Sequence, residues 1–136
     1  MRAVVDTNVL VSGMVNPHGP PGRIVDAILA GRVTVLHDDR ILSEYREVLF
    51  RPLFGFRTGD VDALLDFIER NGEHSLSGPL AVVLPDPTDI PFLEVATAGR
   101  AEALVTGNAR HFKPRRGRHS VQILTPAEFL FRLTNL

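Results

Sequence analysis

The chain opens with a short apolar run that stops at an acidic residue. Ala3–Val5 lies next to the amino terminus, and Asp6, Thr7 and Asn8 follow it directly. Because a short apolar run bounded by polar residues is typical of a buried strand, we expect Asp6 at the carboxyl end of a first strand. In open α/β sheets, ligands bind at that edge. Asp6 can equally open a turn or cap the following segment, so this stretch alone leaves both roles open.

Beyond this run, the hydrophobic pattern alternates between the periods of strands and helices. The further predicted strands are Val33–Leu36, Ala81–Leu84, Ala103–Thr106 and Val121–Leu124. The predicted helices are Arg23–Ala30, a segment from Asp38 that ends at Arg51-Pro52, Thr58–Asn71, Asp89–Ala98 and Pro126–Leu133, with a turn-rich loop at 16–22. Strands that are nearly all apolar and alternate with helices predict a parallel sheet covered on both faces. The expected class is therefore α/β, with about five strands flanked by helices.

Composition narrows the classes of protein that fit. A length of 136 residues suits one domain with a real core, so we expect a single domain over 1–136. The formal net charge of -1 points to no nucleic-acid partner, so binding of that kind needs a local basic patch. The absence of Cys excludes disulfides, thiolate chemistry and Cys-based zinc sites. No apolar run approaches the roughly 20 residues of a membrane span, so we expect a cytoplasmic protein with no membrane partner.

Acidic and small polar residues follow the predicted strands. Asp6 ends the first strand, Asp86 and Asp89 follow the third, and Thr106–Asn108 follows the fourth. Because the carboxyl ends of parallel strands meet at one edge of a sheet, these residues would collect there. Glu44 joins them if its helix packs beside the first strand. Simpler roles remain open: a solvated helix residue for Glu44, and a helix N-cap for Asp89.

Acids gathered at one edge predict a metal site. Two carboxylates about 5 Å apart repel by about 3 kcal/mol at an effective dielectric constant of about 20. Several of them together would destabilise the fold unless a divalent cation neutralised them. Oxygen ligands without Cys or a helical His pair favour Mg²⁺ or Mn²⁺ over zinc. The five histidines are scattered through predicted loops, and we expect them at the surface and not as ligands.

Four segments in a fixed order carry a family resemblance: Val5–Leu10, Leu42–Tyr45, Asp86–Ala96 and Leu104–Asn108. They resemble the successive motifs of PIN-domain nucleases, and more closely those of the branch that includes toxins of bacterial and archaeal toxin–antitoxin pairs. The resemblance covers nearly the whole chain. It implies a Rossmann-like parallel sheet in which Asp6, Glu44 and Asp89 bind one or two metal ions. It also implies single-stranded RNA as substrate, homodimerisation and a cognate antitoxin protein.

One position departs from the common motif of that family. Many PIN domains have Asp directly after Thr-Gly at the end of the fourth strand, whereas this chain has Asn108. An amide offers a carbonyl oxygen without charge, so a metal there would be held more weakly. Asp86 would supply the missing charge if its loop folds inward, as an alternative to a role in the turn. By the resemblance, Thr7 and Thr106 would hydrogen-bond the carboxylates or the metal's waters, and Asn8 would orient the first acid or fix the turn.

Together with the residues, the resemblance to PIN-domain nucleases implies an endoribonuclease that hydrolyses phosphodiester bonds with Mg²⁺ or Mn²⁺. Asp6 and Asp89 would hold the metal, Glu44 would align the attacking water or accept its proton, and Asn108 would complete the catalytic set. A basic loop either rims the same edge and holds RNA phosphates or is a solvated loop; its cations are Lys113, Arg115, Arg116 and Arg118. The apolar segment 53–56 would serve homodimerisation or the core.

Two other classes of function remain open. A binding module that kept the fold and lost the chemistry agrees with Asn108; such a protein would leave RNA intact in the presence of Mn²⁺. A phosphate-accepting receiver domain shares the alternating pattern, but the first strand here ends in one acid and not in an adjacent pair. A P-loop enzyme is excluded because the chain has no Gly-x-x-x-x-Gly-Lys-Ser/Thr motif.

Overall fold

A five-stranded parallel sheet lies at the centre of the computed structural model, which describes residues 1–135. The strands are β1 (Arg2–Val5), β2 (Thr34–His37), β3 (Glu73–His74), β4 (Ala103–Val105) and β5 (Ile123–Leu124), in the spatial order β3-β2-β1-β4-β5. The helices are α1 (Thr7–Val15), α2 (Pro20–Leu29), α3 (Asp39–Leu49), α4 (Thr58–Asn71), α5 (Ile90–Ala98) and α6 (Pro126–Thr134), with 3₁₀ turns at Pro87–Asp89 and Ala109–Phe112. The expected α/β class with a parallel sheet is confirmed.

The strand β1 is the middle of the sheet and is buried on both faces. Ala3, Val4 and Val5 are 0% exposed, and successive strand side chains point to opposite faces, so both faces of β1 are covered. The chain first builds outward from β1 to β2 and β3, and later adds β4 and β5 on the other side. This reversal is the kind of point where open α/β sheets bind ligands. Asp6 leaves the sheet there.

Helices pack on the sheet and on one another to close the core. Helix α5 contacts β1, β2 and β4, while α6 contacts β4, β5 and α2, and α1 packs on α2. Phe92 on α5, Phe129 on α6 and Ile68 on α4 are all at most 1% exposed. Within residues 1–135, no helix is both long and apolar enough to cross a membrane.

The predicted strand at 81–84 is wrong, and the edge strand lies elsewhere. The sheet ends at β3, a polar pair that the hydrophobic pattern did not indicate. Residues 81–84 form a single antiparallel bridge, between Val83 and Arg116, and of these four residues only Leu84 is buried. Pro79 and Pro85 flank this segment, and proline cannot donate to a strand ladder. An edge strand needs little apolar surface, because one of its sides is free of neighbours.

The helix α1 was not predicted from the sequence. Its residues include β-branched side chains and Gly13, which are weak helix formers, so packing on α2 stabilises the helix more than local preference does. Helix α2 also begins earlier than predicted, with Pro20 in its first turn, a position that suits the fixed φ of proline. Part of the turn-rich segment 16–22 is therefore helical.

The expectation that all the histidines lie at the surface is wrong for His37. This residue ends β2 and is 2% exposed. Neither of its ring nitrogens has a hydrogen-bond partner among residues 1–135. Burial, followed by the neighbouring His74, lowers the pKa of His37, so its neutral form is favoured inside the fold. Its position at the end of an apolar strand accounts for its burial.

Candidate active site

The carboxylate of Asp6 is fixed to the end of the neighbouring strand. Asp6 is 7% exposed, and its Oδ2 accepts a hydrogen bond of 2.8 Å from Oγ1 of Thr106, which directly follows β4. Its backbone N–H also donates to the carbonyl of Val105, at 2.9 Å. Asp6 occupies the N-cap position of α1, yet its side chain makes no capping hydrogen bond. The capping role left open by the sequence is therefore not the one that its side chain takes.

The sequence placed Glu44 with the other acids only if its helix packs beside the first strand. The structure meets this condition, because α3 packs beside the end of β1. The buried hydroxyl of Tyr45 donates to the carbonyl of Val5, which anchors this turn of α3 at the carboxyl edge of the sheet. The preceding residue, Glu44, accepts a hydrogen bond from the Oγ1 of Thr7. Glu44 and Asp6 also line the same cavity. Glu44 is thus not a solvated helix residue.

Asp89 carries a buried carboxylate oxygen without a hydrogen bond. Its side chain is 13% exposed, and its Oδ2 has no hydrogen-bond partner among residues 1–135. Nδ1 of His111 lies 3.4 Å from this oxygen, a distance compatible with charge attraction but outside hydrogen-bond geometry. Asp89 stands at the N-cap position of α5 and makes no capping bond. Burial, then the charges of Asp6 and Asp86, raise the pKa of Asp89 to about 6.

The charge of Asp6 acts on the other two acids, in addition to the effect of burial. Burial raises the pKa of Asp6, and the hydrogen bond from Thr106 offsets part of the increase. Burial also raises the pKa of Glu44, and the charge of Asp6 adds to the increase. Within residues 1–135, however, no three His, Asp or Glu side chains are close enough to hold a metal ion as they stand. Like charges repel, and separate hydrogen-bond partners hold Asp6 and Glu44.

The chemistry of these groups fits a hard divalent cation. The donors are carboxylate and amide oxygens, which Mg²⁺ and Mn²⁺ prefer. Oδ2 of Asp89 is an unpaired buried acceptor, and such a group is costly unless something binds it. The charge of Asp6 disfavours ionisation of Glu44 and Asp89, the charge of Glu44 disfavours ionisation of Asp89, and a cation would offset both effects. The residues that would hold it are these three acids, with the carbonyl oxygen of Asn108.

Asn108 lies at the same edge and is tied to a histidine. Its backbone N–H donates to Oγ1 of Thr106 at 3.0 Å, and its side-chain Nδ2 lies 2.9 Å from Nε2 of His111. His111 therefore lies between Asn108 and Asp89, and its side chain is 45% exposed, in agreement with the surface position that the sequence indicated. The spacing offered a signal, because residues three apart lie on the same side of a 3₁₀ turn. The neutral amide brings no charge to the edge.

The remaining residues of the predicted set take simple structural positions. Oδ1 of Asn8 accepts from the backbone N–H of Gly107 at 3.1 Å and so joins the turn after β1 to the loop after β4. Asp86 accepts from the backbone N–H and the Oγ1 of Thr88, at 2.9 and 2.8 Å, and these bonds lower the pKa of Asp86. Asp86 thus shapes the turn that carries Asp89, and its charge acts on Asp89 from there.

The basic loop is held in place by the segment at 81–84. The backbone N–H of Val83 donates to the carbonyl of Arg116 at 2.9 Å, and that of Arg115 donates to the carbonyl of Val83 at 2.8 Å. Lys113, Arg115, Arg116 and Arg118 are exposed, and within residues 1–135 none of them forms an ion pair. In the same range, no hydrogen bond joins their side chains to the acids. These cations are available to an external anion.

The raised pKa of Asp89 predicts a pH-dependent stability. A carboxyl group whose pKa is higher in the folded state favours folding when protonated, so its contribution worsens as pH rises from about 4 through about 6. In EDTA at pH 7.5, Asp89→Asn should raise the free energy of unfolding by about 1 to 2 kcal/mol, since one pKa unit corresponds to about 1.4 kcal/mol and solvent screens part of the shift. The measurement is urea unfolding of both proteins at pH 7.5 and pH 4. An equal gain at both pH values would contradict it.

A parallel sheet with acids at its carboxyl edge, at the reversal of strand order, defines an α/β fold with an acidic candidate site. The chain matches the family model described as PIN domain over residues 2–110, which include every acid of the site. It therefore belongs to the PIN-domain family. It is also similar to the uncharacterized protein MJ1680 of Methanocaldococcus jannaschii, with 26% identity over 116 residues that cover 79% of this chain and 71% of that protein. PIN domains are generally nucleases, and PIN nucleases typically use divalent metals.

Proposed function

We propose that this protein is a metal-dependent endoribonuclease that hydrolyses phosphodiester bonds of single-stranded RNA with Mg²⁺ or Mn²⁺. The observation that carries the proposal is the convergence of Asp6, Glu44 and Asp89. They come from three separate parts of the chain, the charge of Asp6 raises the pKa of both Glu44 and Asp89, and neither Asp6 nor Asp89 caps a helix with its side chain. A structural role would pair these acids with Arg or Lys; within residues 1–135, no ion pair joins them to either.

Each residue of the site has a distinct part in the proposed hydrolysis. A bound Mg²⁺ or Mn²⁺ would supply a polarised water and offset negative charge on the phosphate. Asp6 and Asp89 would hold the ion through their carboxylate oxygens, and Asn108 would add a neutral oxygen. A carboxylate oxygen of Glu44 would accept the proton of the attacking water, because a raised pKa makes this carboxylate a stronger base.

Hydrogen bonds around the acids would preserve the orientation that this chemistry needs. The hydroxyl of Thr106 fixes Asp6, and the hydroxyl of Thr7 fixes Glu44. Hydroxyl groups that orient metal ligands in this way support metal binding, so their loss lowers metal affinity or activity. Asn8 would contribute by keeping the two loops of the edge together.

The basic loop would bind the RNA backbone. Its exposed cations carry no internal ion pair within residues 1–135, so a phosphate would not have to displace an acid to reach them. The choice of single-stranded RNA rests on the motif resemblance to the toxin branch. A role as the toxin of a toxin–antitoxin pair, homodimerisation and a cytoplasmic location rest on that same resemblance or on composition, and the nuclease proposal does not depend on them.

Metal removal and replacement test this function. The purified protein should cleave a fluorescently labelled single-stranded oligoribonucleotide in Mn²⁺ or Mg²⁺, because only a bound cation lets the acids bring a phosphate close. Gel electrophoresis should show no cleavage in EDTA and recovered cleavage when Mn²⁺ is restored. RNA that stays intact with either metal would contradict the proposal. That result would favour a binding module that kept the fold, the alternative supported by the uncharged Asn108.

A further inference from the structure

An apolar groove adjoins the acids. It has a volume of about 360 Å³, and Asp6 and Glu44 are among the residues that line it. Its apolar lining includes Val11 of α1, Val48 of α3 and Phe54 on the connection between α3 and α4. This volume lies within the range of about 300 to 1,000 Å³ that is usual for small-molecule sites. The proposed hydrolysis uses only the acids, so the apolar lining has no assigned role.

One of the residues that line the groove, Phe54, belongs to a pair of stacked aromatic rings. The rings of Phe54 and Phe56 lie 5.4 Å apart between centroids, with an angle of 11° between their planes. Phe56 packs against the hydrophobic core, whereas Phe54 is half-buried and lines the groove. Gly55 between them has a φ of +62°, a conformation that suits glycine. Both rings are half-buried, and the ring of Phe56, which packs on the core, stacks beside Phe54 and restricts its motion.

We propose that the apolar groove binds the base of an unpaired nucleotide next to the phosphate at the acids, with Phe54 as its stacking platform. The proposal rests on the proposed function, because it takes the acids as the site of the phosphate. A base linked through its ribose to that phosphate must lie close to the acids, which line this same groove. Flat rings stack on aromatic side chains regardless of sequence, and this stacking adds to the affinity that backbone charge contacts provide for single strands.

The groove also indicates why a single strand would be preferred. A base in a duplex is paired and stacked on its neighbours, so it would have to leave the helix before it reached Phe54. The polar side chains of Asn8 and Ser12 lie among the groove-lining residues and would contact a base edge without fixing its identity. A second copy of the chain is the other candidate occupant, since the adjacent Leu53 is 86% exposed. The acids in its lining favour a nucleotide with its cation over an apolar protein surface.

A tryptophan reporter tests the proposal without any cleavage. The chain has no Trp, so Phe54→Trp introduces a single indole at the platform. With Mn²⁺ present, adenosine 5′-monophosphate should quench its fluorescence saturably, while ribose 5-phosphate, which lacks the base, should not. Phe131→Trp is the matched control, because Phe131 on α6 is 68% exposed and lies outside the groove. No quenching at position 54, or equal quenching with ribose 5-phosphate or in the control, would overturn the proposal.

Kinetics supply the second measurement. Phe54→Ala should raise KM for single-stranded RNA by about tenfold and change kcat by less than about twofold, since base stacking contributes binding energy away from the reacting phosphate. Phe54→Tyr, which keeps the ring, should raise KM much less than Phe54→Ala does. If Phe54→Ala instead converts a dimer to a monomer in light scattering with KM unchanged, the groove is a contact between copies and the base proposal is wrong.

The two proposals fail in different ways. If the nucleotide quenches the reporter but no RNA is cleaved under any metal condition, the base site stands and the nuclease function fails. If RNA is cleaved while the reporter ignores the nucleotide, the nuclease function stands and the base site fails.

Discussion

Asp6→Asn is expected to reduce metal-dependent RNA cleavage by more than about 100-fold, because changes in groups that only support metal ligands already cost about 10- to 100-fold. The same variant should be more stable than the wild type in EDTA at pH 7.5. Burial raises the pKa of Asp6, so its charge opposes folding when no cation is present. The amide oxygen of the new side chain can still accept the hydrogen bond from Thr106. Cleavage assays and urea unfolding of the two proteins provide the measurements.

This opposite response of activity and stability separates a functional acid from a structural one. Asp66→Asn on α4 is the matched control, because Asp66 is exposed and outside the site. It should leave both activity and stability close to the wild type. A loss of stability in Asp6→Asn, or cleavage comparable with the control, would contradict the assignment of Asp6. Added Mn²⁺ should stabilise the control and not Asp6→Asn, since a ligand that binds only the folded state raises its stability.

Gly22→Ala is expected to destabilise the protein by about 3 kcal/mol, at the upper end of the cost of overpacking. A Cβ at this position would lie 2.3 Å from the carbonyl oxygen of Pro17 and 2.4 Å from its carbon. Both contacts are with backbone, so no side-chain rotation relieves them. The midpoint of thermal unfolding should fall by about 10 °C, measured by circular dichroism.

Gly59→Ala is the matched control for this substitution. Gly59 lies in the first turn of α4, and a Cβ there would meet nothing within 4 Å. Its effect should be within about 1 kcal/mol and on the stabilising side, because alanine restricts the unfolded chain and favours a helix. Equal effects at the two positions would show that the contact of α2 with the loop before it is not a close one.

The pattern of the sequence indicated those elements whose burial is strong and local. Helix α4 begins and ends where its apolar spacing predicted, and β1 and β4 lie within a residue of the predicted runs. Asp6 could be placed at the end of β1 because a short apolar run that stops at an acid is typical of a buried strand. The edge strand β3 and helix α1 could not be predicted in this way. Each is stabilised by its neighbours, and neither has a clear period of its own.

The candidate site also has some features that the sequence predicted and others that it did not. Its acids could be named from the sequence, and so could their meeting at one edge, because parallel strands share a direction. The hydrogen bond from Tyr45 to Val5, which places Glu44 at this edge, could not be predicted, because it joins positions 40 residues apart. The same holds for the contact of His111 with Asp89 and for the stacked ring of Phe54.

The sequence by itself determined the α/β class, the central buried strand and the residue types of an acidic edge, because these follow from short-range hydrophobic periods and the chemistry of side chains. Only the tertiary structure decided which acidic side chains make no helix cap, which carboxylate oxygen has no hydrogen bond and where a groove lies beside the acids. These features depend on contacts between distant segments, whose geometry is set by the packing of the whole core.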